Sequence, residues 1–290
     1  MSAYKITSEL RDQFRIDGVV RVEKALDETS LKLALEAYEW SLSHPSPAAN
    51  QFEGTRGTSG RFYQDLFNTK ALPAYRKLLE ESSAADEAAE LWCKSNVWFF
   101  YEQVFLKEGG ESRRTPWHQD SSYLPIAGDD IAVMWISFDR VPKEDSLEFV
   151  RGSHRGVLYD GSRFDPNDDT APLYGDGSLP RLPNIESERN RWDIVSFGVE
   201  PGDVVVFHPA MLHGGAPTHP GTRRRTLSLR FFGDDAVYAV RPGGRQMNPA
   251  DDPATSTSIF GQLRKLAPGD PFRHPALLKF RPRTSGDTVE

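Results

Sequence analysis

Two textures divide the chain near residue 95. Before it, apolar positions sit among charges at helical spacing. Leu10 and Phe14 follow a polar start at Ser8, with Val19 and Val20 as later points on the same pattern. Leu31, Leu33, Leu35, Ala37 and Trp40 punctuate residues 27–43, which read as a second helix. Two more helices are predicted over 70–81 and 84–93, the latter opened by Ser82 or Ser83. Residues 44–62, rich in Pro, Gly, Ser and Asn, read as a loop.

Past residue 95 the pattern shortens. Residues 96–107, 117–123, 131–141, 146–150, 193–199, 203–208 and 223–232 are aromatic or β-branched runs bounded by Gly, Pro and Asp. Strands in such succession predict a sandwich or barrel. Residues 156–192 are polar, carry four prolines and lack periodicity, which fits either a lid over a site or a plain surface insertion. After residue 240 the Pro-rich chain is expected to wrap the surface. One domain over 1–290 is the expectation: helical support over 1–94, a β-core over 95–235 with the 156–192 insertion, and an extension over 236–290.

Composition narrows the function classes. The net charge is −7 with no basic stripe, so binding to nucleic acid has no electrostatic support. The single cysteine, Cys93, excludes an internal disulfide and any Cys-based zinc or iron–sulfur site. No stretch is apolar and long enough to span a membrane, and the start lacks a secretory pattern, so a cytoplasmic location is expected. Any metal must be held by His, Asp and Glu.

The chemistry concentrates in WHQD, residues 117–120. In a strand, residues two apart face one side, so His118 and Asp120 can turn to one ion while Gln119 points away. A further His is required, and FHPAMLHGG (207–215) offers His208 and His213. Two His and one carboxylate on one face of an octahedron leave open positions, as iron(II) oxygenases need. In RRTLSLRFF (224–232), Arg224, Thr226, Ser228 and Arg230 share one face and Arg225, Leu227, Leu229 and Phe231 the other. An Arg fork with a Ser beside a metal suits a dicarboxylate. His154 reads as loop support, and His44, His219 and His274 as solvent-facing. Glu148 or Asp145 could replace Asp120, but neither has a His at strand spacing.

These motifs together resemble the phytanoyl-CoA dioxygenase-like branch of the 2-oxoglutarate oxygenases. The resemblance runs over roughly residues 8–235: WHQD, Trp135 within IAVMWISFD, SLEFVRGSHRG at 146–156, GDVVVFHPAMLHGG at 202–215, then Arg224 and Ser228. It implies a mainly β fold with flanking helices, a double-stranded β-helix (jelly roll, cupin-like). It implies His118, Asp120 and His213 as Fe(II) ligands, and His213 over His208 from its spacing to Arg224. Arg224 would hold the far carboxylate of 2-oxoglutarate with Ser228 assisting, while Trp135 and Gln103 would line the cosubstrate pocket. Lys107 is a further candidate that strand-end position makes more naturally solvent-facing.

The implied reaction uses O2 to hydroxylate a small-molecule substrate, releasing succinate and CO2. Related halogenases replace the carboxylate with a small residue; here Asp120 keeps it. A non-catalytic or non-oxygenase cupin-like metal-binding protein is the alternative. Arg230 shares the inward face, where it either pairs with an internal acid or recognises an anionic group on the substrate. Neither substrate identity nor oligomeric state is encoded in a motif.

Overall fold

Helix α1 (Ser8–Asp17) starts where the Thr7 hydroxyl accepts the Leu10 amide at 3.3 Å. It stops at Gly18, whose left-handed φ of 80° returns its amide to the Phe14 carbonyl. That stop corrects the helical expectation for Val19 and Val20. The chain leaves the helix, and the β-branched run forms β1 (Val19–Val22) at the edge of a sheet. Helix α2 (Glu28–Ser43) is capped by the Asp27 carboxylate, which accepts the Ser30 amide at 2.8 Å. Helices α3 (Leu72–Glu81) and α4 (Ala84–Trp92) fall within two residues of their predicted bounds. The computed structural model describes residues 6–53, 60–108, 114–165, 167–219, 221–242 and 259–282.

Residues 44–62 are not all loop. They contain β2 (Asn50–Glu53) and run into β3 (Arg61–Leu66), an antiparallel pair laid against β4 (Val97–Glu108). Local propensity favours coil here; the free edge of β4 supplies the partner that makes strands of it. The remaining elements are β5 (Thr115–His118), β6 (Ile126–Ala127), β7 (Ile131–Ser137), β8 (Leu147–Val150) and β9 (Ile194–Ser196). They are followed by β10 (Val204–Phe207), β11 (His213–Gly215), β12 (Arg223–Phe232), β13 (Val237–Tyr238), α5 (Ile259–Leu263) and β14 (Lys279–Arg281).

Among the described residues, the large sheet runs β1-β10-β7-β12-β4-β3-β2, with β14 also on β4, and the small sheet runs β5-β11-β8-β9. The pairs are antiparallel, and the two sheets with their covering helices form the expected jelly roll. Alternation along the central strands assigns the faces. Leu227, Leu229 and Phe231 of β12, with Met134 and Ile136 of β7, pack under the four helices. Trp135 and Val133 of β7 and Val205 and Phe207 of β10 turn the other way, into a core shared with Phe149 of the small sheet.

This alternation protects the site. Fully burying a Leu or Phe stabilises by about 1.5–3 kcal/mol. A one-residue slip of β12 would drive its arginines into the helix-covered layer. At the far end, Phe272 and Leu277 pack with Phe100 and Phe232, so the described part of 259–282 contributes to the core. No helix among the described residues is long and apolar enough to cross a membrane.

Candidate metal centre and its cationic wall

Two strands of the small sheet bring the histidines together. His213 of β11 lies directly across from His118 of β5, and their ring centroids are 4.2 Å apart. Gly214 permits this approach, since a Cβ there would stand 2.9 Å from the Thr115 carbonyl. Behind the turn before His213, Gly18 is equally constrained: its Cβ would meet His154 and Met211 at 2.3 Å. The local fold around His213 therefore depends on two residues that have no side chain.

Asp120 arrives differently from the expectation. The strand ends at His118, and Asp120–Ser122 forms a 3₁₀ turn. Because Gln119 stays extended, with φ −125° and ψ 125°, the alternation still holds across it. Gln119 points away from the histidines. Its amide nitrogen donates to the Ala210 and Val157 carbonyls, and its oxygen accepts the Tyr159 amide at 2.8 Å. One side chain thus ties WHQD to the loop before His213 and to the start of the 156–192 insertion.

The ligand geometry fits an ion. Asp120 Oδ1 is 3.5 Å from His118 Nε2 and 4.0 Å from His213 Nε2. One ligand atom from each of the three lies within 4.8 Å of the others, and all three residues are buried. Two metal–ligand bonds of roughly 2.1 Å span about 4.2 Å end to end, so these separations suit one shared ion. The other imidazole nitrogens are committed: Nδ1–H of His118 donates to Pro116 O at 2.8 Å, and that of His213 to Met211 O at 3.0 Å. Each Nε2 is left with its lone pair facing inward. Burial, with His118 beside it, pushes the His213 imidazole down to about 3, so it is neutral at pH 7.

Burial alone would raise the Asp120 carboxyl. The Arg230 guanidinium overcomes it and holds the group well below the usual range. Arg230 Nη2 donates to Asp120 Oδ2 at 3.0 Å and to Gln103 Oε1 at 2.7 Å. The expected internal acid for Arg230 is therefore Asp120 itself. Nε and Nη1 of Arg230 are buried and have no hydrogen-bond partner among the described residues. Gln103, expected along the cosubstrate pocket, spends its amide oxygen on this arginine.

Farther along the inner face of β12 lies a second set of polar groups. Ser228 is buried, directly across from Gln103 on one side and Trp135 on the other. Arg224 is 6% exposed; it donates to the Asp145 carbonyl and, at 3.4 Å, to the Ala216 carbonyl. Burial pushes its guanidinium down to about 10, which leaves it charged at neutral pH. Lys107 corrects the solvent-facing expectation: it sits opposite Arg224, 2% exposed, with its ammonium 4.4 Å from the Phe62 ring and 3.4 Å from Thr115 Oγ1. Burial, then Arg224 and Arg114, push it well below its ordinary value. The signal was present in the strand parity, since 103, 105 and 107 share a face.

The rival residues go elsewhere. His208 donates from Nε2 to Gly128 O at 2.9 Å and accepts the Ala210 amide at Nδ1, so both nitrogens serve the fold. His154 packs 5.6 Å from His208, and burial pushes it down to about 4. His44 stacks on Trp40, while His219 pairs with Asp145 at the surface. His274 accepts the Ala276 amide. Glu148 pairs with Arg189 and Arg114.

Two site residues escaped the sequence reading. Tyr123, three positions after Asp120 on the 3₁₀ turn, donates a short hydrogen bond to Asp120 Oδ1. Phe164, from the long insertion, holds a left-handed φ of 57° and places its ring 5.4 Å from that of His118. No periodicity marks either one.

Fold and ligand set together define a double-stranded β-helix protein with a two-histidine, one-carboxylate metal centre. The chain belongs to the phytanoyl-CoA dioxygenase (PhyH) family, whose model matches residues 14–226. A probable phytanoyl-CoA dioxygenase of Caenorhabditis elegans is 27% identical over 52% of this chain and 47% of that protein. The peroxisomal phytanoyl-CoA dioxygenase of Homo sapiens is 28% identical over 48% of this chain and 40% of its own. The chain thus spans about half the length of the curated relatives it matches, or less. Among solved structures, the epimerase SnoN in complex with Fe3+, alpha ketoglutarate and nogalamycin RO superposes with a TM-score of 0.68. That match covers 94% of this chain and 98% of SnoN at 21% identity, which bears on the fold alone.

Proposed function

We propose that the chain is an Fe(II)- and 2-oxoglutarate-dependent dioxygenase that hydroxylates an unactivated C–H bond of a small-molecule metabolite. Arg224 next to the triad carries this reading. Its guanidinium donates to the carbonyl of Ala216, just beyond the short strand that carries His213. A cation there suits a dicarboxylate that chelates at one end and is gripped at the other. Ser228 supplies a hydroxyl and Trp135 an aromatic wall on the same inner face. A metal-binding protein without turnover has no use for a buried guanidinium on the wall beside its ion.

Iron(II) bound by the triad would couple O2 activation to oxidative decarboxylation of 2-oxoglutarate, giving succinate, CO2 and an oxidised substrate. The protein's own contribution is positional. His213 stays neutral to coordinate, Asp120 offers one negative oxygen, Arg224 neutralises the cosubstrate's far end, and the two sheets exclude water. The relatives' names span several outcomes, an epimerase among them, so the oxidised product is the part to be measured.

The deciding experiment is succinate release. Anaerobically prepared protein given Fe(II), 2-oxoglutarate and air is expected to release succinate slowly alone and faster with a suitable metabolite from a screened panel. His213→Ala is expected to abolish both. Protein that binds Fe(II) yet releases no succinate under any condition would be the storage alternative instead.

The insertion supplies a second expectation. Phe164 is 38% exposed although it stands over a metal ligand, so truncating it should change stability by about 0.5 kcal/mol or less. Phe164→Ala is expected to admit water and raise substrate-independent succinate release several-fold at an unchanged melting temperature. An unaltered basal rate would make the insertion surface decoration rather than a wall of the site.

A further inference from the structure

Both oxygens of the Asp120 carboxylate are held from outside the triad. Oδ1, which faces the two imidazoles, accepts the Tyr123 hydroxyl. Oδ2 accepts Arg230 Nη2 at 3.0 Å, and the second hydrogen on that nitrogen goes to Gln103 Oε1 at 2.7 Å. The guanidinium is fixed in turn by the Tyr101 ring, whose centroid lies 4.4 Å from Cζ, and by its own burial at 5% exposure. The arrangement joins β4, β12 and the 3₁₀ turn after β5 around one carboxylate.

A carboxylate oxygen has two lone pairs in the plane. On Oδ1 one meets the tyrosine hydroxyl, and the other remains for an ion between the imidazoles. Oδ2 is turned to the arginine and cannot swing toward the same ion without breaking a charge-assisted bond. We infer that Tyr123 and Arg230 are positioning residues that clamp Asp120 as a one-oxygen ligand. The clamp keeps the metal's remaining positions free for a chelating cosubstrate and O2. This rests on the metal-centre reading proposed above. It assigns to Arg230 a role in metal geometry rather than in substrate recognition.

The test uses Mn(II) and Co(II) with the metal-free full chain and needs no turnover. Arg230→Met is expected to weaken Mn(II) binding about 10–100-fold, the usual range for losing an outer partner of a ligand. Arg230→Lys, which returns a cation and a donor, should recover most of that loss. Tyr123→Phe removes one hydroxyl and should weaken binding several-fold. In the Co(II) form, Arg230→Met should also change the d–d spectrum as Oδ2 is freed to coordinate, a signature that mere loss of packing would not give.

Mn(II) affinity and Co(II) spectrum unchanged in a folded Arg230→Met protein would overturn the clamp. If that variant does not fold, Tyr123→Phe decides, and wild-type behaviour there has the same consequence. His213→Ala separates the two levels: if it binds Mn(II) as the wild type does, the metal centre itself has been misplaced, and the clamp falls with it.

Discussion

Asp120→Asn is expected to lose the metal and, separately, to lower the melting temperature of the metal-free protein. The substitution keeps shape and removes charge. Arg230, 3.0 Å from Oδ2 and buried, would then lack its counter-ion. Removing one partner of a buried ion pair destabilises by about 3–5 kcal/mol. For a chain of this size that corresponds to a fall of roughly 5–15 °C. Replacing both partners, as in Asp120→Asn with Arg230→Met, should restore much of the loss, because no orphaned charge remains. Calorimetry on the four proteins of this cycle measures the coupling, and Mn(II) titration of the same samples reports the ligand loss, expected at about 100-fold or more. A single mutant that melts with the wild type would mean that the pair carries little folding energy.

Why one residue has these two roles explains what could be read from the sequence. The ligands were legible because their constraints are local or recur as motifs. His-x-Asp depends only on alternation across one extended residue, and that survived even though the strand stops at His118. The inward set on β12 was legible for the same reason, since parity needs no knowledge of the partner strand.

What each inward residue touches was not legible. That Lys107 lies opposite Arg224 follows from the pairing register of β12 on β4, and that Arg230 meets Asp120 follows from how the two sheets face each other; the hydrophobic pattern alone fixes neither. The strands within 44–62 are not legible because their strand character comes from pairing, β3 on β4 and β2 on β3, and not from their own propensities. Phe164 lies in a segment without periodicity, and only the tertiary fold brings it to His118.

Arg224→Met should raise the 2-oxoglutarate KM about 100-fold, since a guanidinium fork gives two charge-assisted bonds of about 1.5 kcal/mol or more each. Mn(II) affinity should stay within about twofold, because the side chain touches Asp145 and Ala216 and none of the three ligands. A sharper measure compares 2-oxoglutarate with 2-oxopentanoate, which has the same chain length and chelating end but no far carboxylate. The wild type should discriminate strongly between them, and Arg224→Met should lose most of that preference. Whatever preference remains is assigned to Lys107, which lies directly opposite Arg224, and should vanish when Lys107→Met is added. Full discrimination retained without Arg224 would show that the buried guanidinium serves the packing of β12 against the small sheet, and that the co-oxidant is gripped elsewhere.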